Sequence, residues 1–263
     1  MSNKLLILTT FSILCFLSFL FFSCKSEIKK EAVILNNSAT KQVIRINYAD
    51  DPDGIKQFEY DEDGNVIRMI QAGDTAIFTY SATMITKRHT NLKVHWDAGT
   101  DYVLDAGGRI ISAKILGAGD TIISNFKYSY NADGYLSKIY REVVASKSIT
   151  FNEFTYKDGN MIHMNEKNAD GSVMSNYVCE YYPDKVMNQN IFVQTFIEDI
   201  ISNGRFGKMS KNFVKNSYSI SIQGDTMSHL NYTYENITEP KSMNMMETDV
   251  NNGFKMPVTY WYK

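Results

Sequence analysis

The chain is poor in the residues that carry most site chemistry. Of its 263 residues only 3 are cysteine and 4 histidine. Cys15 and Cys24 fall in the N-terminal segment, which leaves Cys179 alone in the remainder, so no intramolecular disulfide framework is available to it. His89, His95, His163 and His229 show no two-histidine metal spacing. His89 and His95 share the parity of one possible strand, where six residues of extended chain would hold them roughly 20 Å apart. Neither a metal nor a cofactor is therefore expected. No charge of one sign dominates either: 27 Lys and Arg against 29 Asp and Glu give a net charge of −2, which supplies no basic field for a phosphate backbone and excludes nucleic acid as an expected partner. There is no Gly-x-Ser-x-Gly elbow, Walker loop or paired-cysteine motif, and no catalytic residue can be named. Isolated carboxylates on turns do not establish the acid pair of a glycosidase. The expectation is a non-enzyme.

What is present is apolar and aromatic. Hydrophobic residues make up 44% and aromatics 13%, with 17 Tyr and 15 Phe against 2 Trp. That is enough for a sizeable core, and the residue types favour strands. Lys4 precedes a charge-free apolar stretch from Leu5 to Phe22, followed by Ser23 and Cys24, the order of a secretion signal. Cys24 behind small Ser23 resembles a bacterial lipoprotein signal, in which the chain is cut before a diacylated cysteine. The alternative is an uncleaved transmembrane anchor, since 18 residues just span a bilayer. On the lipoprotein reading, residues 1–23 are the signal peptide and 24–41 a lipidated tether whose first part is CKSEIKKE. Two acyl chains anchor firmly. Lys25 after the cysteine resembles the outer-membrane sorting pattern, so the expected location is the outer membrane, on its periplasmic or cell-surface face.

Residues 42–263 are built on an internal repeat. An aromatic or apolar residue, an Asp/Gly turn and a new apolar run recur at Tyr60-Asp61-Glu62-Asp63-Gly64, Leu104-Asp105-Ala106-Gly107-Gly108, Tyr130-Asn131-Ala132-Asp133-Gly134 and Tyr156-Lys157-Asp158-Gly159, with degenerate copies at Tyr80, Tyr182 and Tyr234. From Tyr60 to Tyr182 the starts are separated by 20, 24, 26, 26 and 26 residues. A second set of turns lies between them, at Gly73-Asp74-Thr75, Gly119-Asp120-Thr121, Asp170-Gly171-Ser172 and Gly224-Asp225-Thr226. Glycine beside Asp or Asn supplies the positive φ of hairpin turns. Each unit is thus strand, turn, strand, turn, and the fold class is all-β: an antiparallel up-and-down meander curled on itself to cover its edges. In Thr121–Tyr130, Ile122, Phe126, Tyr128 and Tyr130 fall on one face and Asn125, Lys127 and Ser129 on the other. The recurring Tyr60, Tyr80, Tyr130, Tyr156 and Tyr182 are expected to form a structural ladder rather than a sugar platform. Cys179 is expected in the core.

One stretch departs from period two. Phe192, Phe196 and Ile200 follow at four-residue steps, with Val193, Ile197 and Ile201 beside them and Asn203-Gly204 at the end, so the pattern predicts one short helix near 190–202 covering the sheet. The acidic turns at Asp50–Asp53 and Asp61–Asp63 fail as EF-hand loops, because the twelfth position from Asp61 is Ala72.

The Tyr-x-x-Asp-Gly unit is similar to the YD repeats of bacterial surface and toxin-delivery proteins. The lipidation motif at Cys24, the aromatic-Asp-Gly units and the insertion Gly204–Lys215 together resemble domain-of-unknown-function family 4595, Bacteroidetes lipoproteins of porin-like fold. That resemblance implies a barrel-like sheet and no activity, cofactor or catalytic residue. The function expected is a non-catalytic, outer-membrane-anchored lipoprotein with a ligand-binding or envelope-structural role, its partners being the membrane through its lipid and a glycan or envelope protein. The alternatives are a glycan-binding accessory protein, a hydrolase and a membrane pore. Lys138 and Glu142 on one face of a strand and Arg141 on the other speak against the lipid-facing band of a pore.

Overall fold

A computed structural model describes residues 42–48, 54–187, 204–239 and 241–263. The signal, Cys24, the tether, the acidic stretch Asp50–Asp53 and all but the terminal glycine of the helical pattern near 190–202 lie outside these residues. The described chain forms strands β1 (Val43–Tyr48), β2 (Ile55–Tyr60), β3 (Val66–Gln71), β4 (Asp74–Tyr80), β5 (Met84–His89) and β6 (Gly99–Leu104). It continues through β7 (Ile110–Leu116), β8 (Ile122–Tyr130), β9 (Leu136–Val143), β10 (Ser148–Lys157) and β11 (Asn160–Asn168). The last strands are β12 (Val173–Val186), β13 (Asn212–Ile220), β14 (Thr226–Glu235), β15 (Ser242–Asp249) and β16 (Lys255–Tyr262). Every strand pairs antiparallel with its sequence neighbour, and β1 pairs with β16, Val43 opposite Tyr262, to close a sixteen-stranded barrel. The meander expected from the repeat is the observed topology.

The repeat works through its turns. At the β2–β3 turn Asp61 Oδ1 accepts the Asn65 amide at 2.7 Å, and Gly64 takes φ +79°. Asp105 does the same for Arg109 at 2.9 Å, and Asn131 for Tyr135 at 2.9 Å. A carboxylate or amide four residues before the acceptor strand thus satisfies the N–H that the tight reversal orphans. The degenerate copy at Tyr182-Pro183-Asp184 does not turn. β12 runs through it to Val186, and its pairing with β13 jumps from Tyr181↔Val214 to Val186↔Asn212. Pro183 has no N–H to give a ladder and sits where the ladder is interrupted.

Register assigns the two faces. Phe58, Phe78, Ile85, Tyr102, Tyr234 and Tyr260 point inward and are buried. Outward stand Glu59 with Arg68 at 3.1 Å, Asp101 with Arg88 at 2.7 Å, and Glu153 held between Lys138 at 3.0 Å and Lys167 at 2.6 Å. Lys138 and Glu142 share one face and Arg141 takes the other, as expected; the first two face outward, and Arg141 lies opposite Phe126 on the inner parity. Cys179 is buried, inside the wall of β12.

One end of the barrel is closed by the connection between β12 and β13. The Arg205 carbonyl accepts the Ile110 amide at 2.7 Å, Lys208 N–H donates to Gly134 at 2.9 Å, and Lys211 N–H donates to Gly159 at 2.9 Å. Arg205 also donates to Gly108 O and Asn65 Oδ1. The segment is therefore tied to four of the repeat turns, those that follow β2, β6, β8 and β10. Phe206, buried, projects between Tyr102 and Tyr128, with ring centroids at 6.5 and 5.2 Å. A sixteen-stranded wall would otherwise leave an aqueous channel; here aromatic side chains and this plug fill the end.

Candidate functional site

The opposite end, where β3–β4, β5–β6 and β7–β8 are joined, has a different lining. On the inner parity of β9 to β12 this half of the lumen presents the polar Arg141, Thr150, Asn152, Glu166 and Ser175 beside the apolar Val143. Ser175 Oγ donates to Glu166 at 2.9 Å. Across the barrel Glu247 shares this face, its carboxyl raised above the usual range by burial.

A compact cluster stands at this mouth on β4 and β5. Ala72 and Gly73, both at positive φ, form the two-residue turn that starts β4 at Asp74. Alternation then points Asp74 and Ala76 inward, and Ala76 pairs with His89, the last residue of β5. Beyond His89 the chain stays beside β4: Thr90 N–H and Oγ1–H donate to Asp74 Oδ1, both at 3.1 Å, and Asn91 N–H donates to it at 2.7 Å. The connection to β6 folds back, with His89 N–H on the Ala98 carbonyl at 3.0 Å. That reversal lays the His95 ring on the His89 ring, centroids 3.9 Å apart and planes at 28°.

The expectation that strand rise would separate these two histidines is thereby corrected. The strand ends at His89, and the next nine residues form a returning loop. Both imidazoles converge on one carboxylate oxygen: His89 Nδ1 lies 2.6 Å and His95 Nε2 3.1 Å from Asp74 Oδ2. Asp74 and His89 side chains are 3% and 2% exposed, whereas His95 is 28% exposed. Burial pushes the Asp74 carboxyl up, but the hydrogen bonds from His89, Asn91 and Thr90 outweigh it and hold the group below its ordinary range. On the far side of the His89 ring, Nε2 faces Asp97 Oδ2 at 3.6 Å, too long for a hydrogen bond, and it has no other partner. Trp96, between the second histidine and this aspartate, is 63% exposed.

The other sequence-singled residues do not join this cluster. His229 stacks on Tyr218 on the outer face, and His163 lies opposite Val178 on the outer parity of β11. Asp61 is engaged in its turn. The tyrosines form the expected ladder in part: Tyr60, Tyr80 and Tyr130 hydroxyls donate to the carbonyls of Val43, Val66 and Ile110. On β12 the ladder position belongs to Tyr181, which donates to Met161 O at 2.7 Å. Tyr182 donates instead to Tyr232 O, and Tyr156 packs on Tyr135.

The fold is similar to that of a porin-like protein from Bacteroides uniformis. The two share 15% identity and a TM-score of 0.61 over 85% of this chain and 98% of that one. Fainter likenesses reach a TcdB2–TccC3–Cdc42 complex (TM-score 0.30, 11% identity, 73% of this chain, 12% of that one) and the Photorhabdus luminescens Tc holotoxin pore (TM-score 0.24, 9% identity, 76% of this chain, 17% of that one). No family model matches the chain, and no curated protein matches it.

Proposed function

We propose that this chain is a non-catalytic lipoprotein of the cell envelope, held at the outer membrane by lipid on Cys24, whose barrel offers its open mouth to a ligand. The observation that carries this reading is the inversion of the wall relative to a membrane barrel. The buried apolar and aromatic side chains point inward, while Glu59, Arg68, Arg88, Asp101, Lys138, Glu153 and Lys167 stand among the outward residues along several strands. Such an outer face suits water, not acyl chains, so residence at a membrane has to come from an anchor. The Lys4, Leu5–Phe22, Ser23-Cys24 order supplies one. The chain enters the barrel at Val43, at the plugged end, which leaves the mouth as the end farthest from where the tether joins. The resemblance of the sequence to domain-of-unknown-function family 4595 accords with this arrangement.

Metabolic labelling with an alkyne palmitate analogue, followed by membrane fractionation, tests the reading. The wild type takes label and sediments with membranes; Cys24→Ser loses both and yields a folded barrel without detergent. A Cys24→Ser variant that still needs detergent for extraction would return the pore to consideration. A second reading, a glycan-binding accessory protein, draws on Trp96 and Phe254, 63% and 65% exposed on mouth-side loops, since flat exposed rings stack on sugars. Glycan-array binding abolished by Trp96→Ala would select it.

A further inference from the structure

We propose that Asp74, His89 and His95 form a binding site for a divalent transition metal of the zinc class at the mouth of the barrel, with Asp97 as the group that orients His89. One nitrogen of each imidazole and one Asp74 oxygen lie within 4.8 Å of one another. Two nitrogens and one carboxylate oxygen are the donor set that such ions take, and calcium or magnesium, which want oxygen ligands, do not suit it. Tetrahedral zinc with bonds of about 2.0–2.1 Å sets its ligand atoms about 3.3 Å apart. The contacts from Asp74 Oδ2, 2.6 Å to His89 Nδ1 and 3.1 Å to His95 Nε2, need to widen by less than about 1 Å to admit the ion.

The unpartnered nitrogen is the second observation. In the His89 ring, 2% exposed, Nδ1 is committed to Asp74 and Nε2 meets no hydrogen-bond partner. A buried polar atom left so is costly. Metal at Nδ1 would require the neutral tautomer that carries its single proton on Nε2, where the Asp97 carboxylate already stands at 3.6 Å. Carboxylate, histidine and metal in that order is the arrangement by which an outer carboxylate fixes the tautomer of a ligating ring. His95, 28% exposed, provides the route of entry, and three protein ligands leave a position open for water or a ligand oxygen.

The test uses the full chain in detergent, stripped with a chelator, dialysed against Zn2+ and assayed by elemental analysis, with a chromophoric zinc competitor for affinity. The expected result is one Zn2+ per chain, not displaced by excess Mg2+ or Ca2+. His95→Ala, at a partly exposed loop position, is expected to weaken binding at least about 10-fold while circular dichroism stays unchanged. Asp97→Asn is expected to cost about 10- to 100-fold, Asp97→Glu to restore part of it, and Co2+ to keep its tetrahedral visible bands in both. His229→Ala changes nothing. Failure of the folded chain to bind Zn2+ at micromolar concentration, or binding that survives His95→Ala undiminished, overturns the proposal and leaves the cluster as a hydrogen-bonded clasp of the β5–β6 loop.

Discussion

The Ile110 amide donates to the Arg205 carbonyl at 2.7 Å, while the Ile110 carbonyl accepts the Tyr130 hydroxyl. One residue at the start of β7 thus ties the repeat ladder to the plug. Tyr130 Oη also lies 3.4 Å from the Arg205 carbonyl, and the Arg109 guanidinium covers its ring at 4.7 Å. Tyr130→Phe keeps the ring and its packing but leaves a part-buried carbonyl short of a donor. The expected loss is about 1–2 kcal/mol, a fall in Tm of roughly 2–4 °C per kcal/mol for a domain of this size. Differential scanning calorimetry of the two proteins measures it; an unchanged Tm would mean that water replaces the hydroxyl without loss.

Gly207 is the position where the plug cannot accept a side chain. It sits at φ +83°, and a Cβ there would lie 2.5 Å from the Gly134 carbonyl and 2.9 Å from the Tyr130 ring. Gly224, at φ +93° in the β13–β14 turn, has nothing within 4 Å of the same atom. Gly224→Ala therefore costs only the conformational strain of about 1–2 kcal/mol. Gly207→Ala adds a steric clash of about 1–3 kcal/mol that falls on the plug. Urea titration is expected to rank the two in that order, and limited proteolysis to cut within Gly204–Lys211 in Gly207→Ala alone.

The repeat was legible because each of its residues has a local duty. Asp61, Asp105 and Asn131 accept an N–H four residues on, and the glycine that follows takes the positive φ, so a spacing of about 25 residues carries two strands and two turns. The mouth cluster was not legible for the opposite reason. Residues 90–98 contain no glycine and no Asp-Gly pair, so alternation alone extends β5 through them and drives His89 and His95 apart. What ends the strand is the buried Asp74 carboxylate, which gathers Thr90 and Asn91 from the neighbouring hairpin. That is a tertiary contact, and spacing along the chain does not contain it. Tyr182 misled similarly: the register shift that stands directly before Tyr60 and Tyr130 in their strand pairs falls before Tyr181 in β12, so the ladder hydroxyl belongs to that residue and not to Tyr182.

Acid should loosen the β6–β7 turn in a way that reports on Asp105. Burial raises the Asp105 carboxyl, but hydrogen bonds from the Arg109 amide and guanidinium, the Arg109 charge and the Gly107 amide outweigh it and leave the group below its ordinary range. A carboxyl depressed in the folded state contributes stability above its unfolded pKa of about 3.9, and that contribution disappears as pH falls through the lower folded value. Asp105→Asn retains the acceptor, as Asn131 does in the next unit, and loses the charge. The stability gap between wild type and variant is expected to be on the order of 1 kcal/mol at pH 6, after allowing for solvent screening of the partly exposed Arg109. It should shrink toward zero below about pH 4. Urea midpoints at pH 3, 4, 5 and 6 measure it, and a gap independent of pH would assign the effect to turn geometry instead of charge.

The Cys179 thiol provides a probe of whether the wall of the barrel opens. It is 8% exposed, and burial pushes its pKa up to about 11 against a smaller opposing effect of the Tyr181 hydrogen bond. At pH 8 a thiol of that pKa carries at least about 100-fold less thiolate than an unperturbed one near 8.5. In a chain with Cys15→Ser and Cys24→Ser, leaving this thiol alone, reaction with a disulfide reagent at pH 8 is expected to be slower than in 8 M urea by at least that factor. Because Ser217 faces Cys179 across the β12–β13 pair, the residual rate in the native state measures separation of those two strands, which adjoin the plug. Gly207→Ala should accelerate it and Gly224→Ala should not, for only the former strains the segment that joins β12 to β13. Rapid labelling of the native wild type would show instead that this part of the wall is open without any mutation, and that the plug does not hold the two strands together.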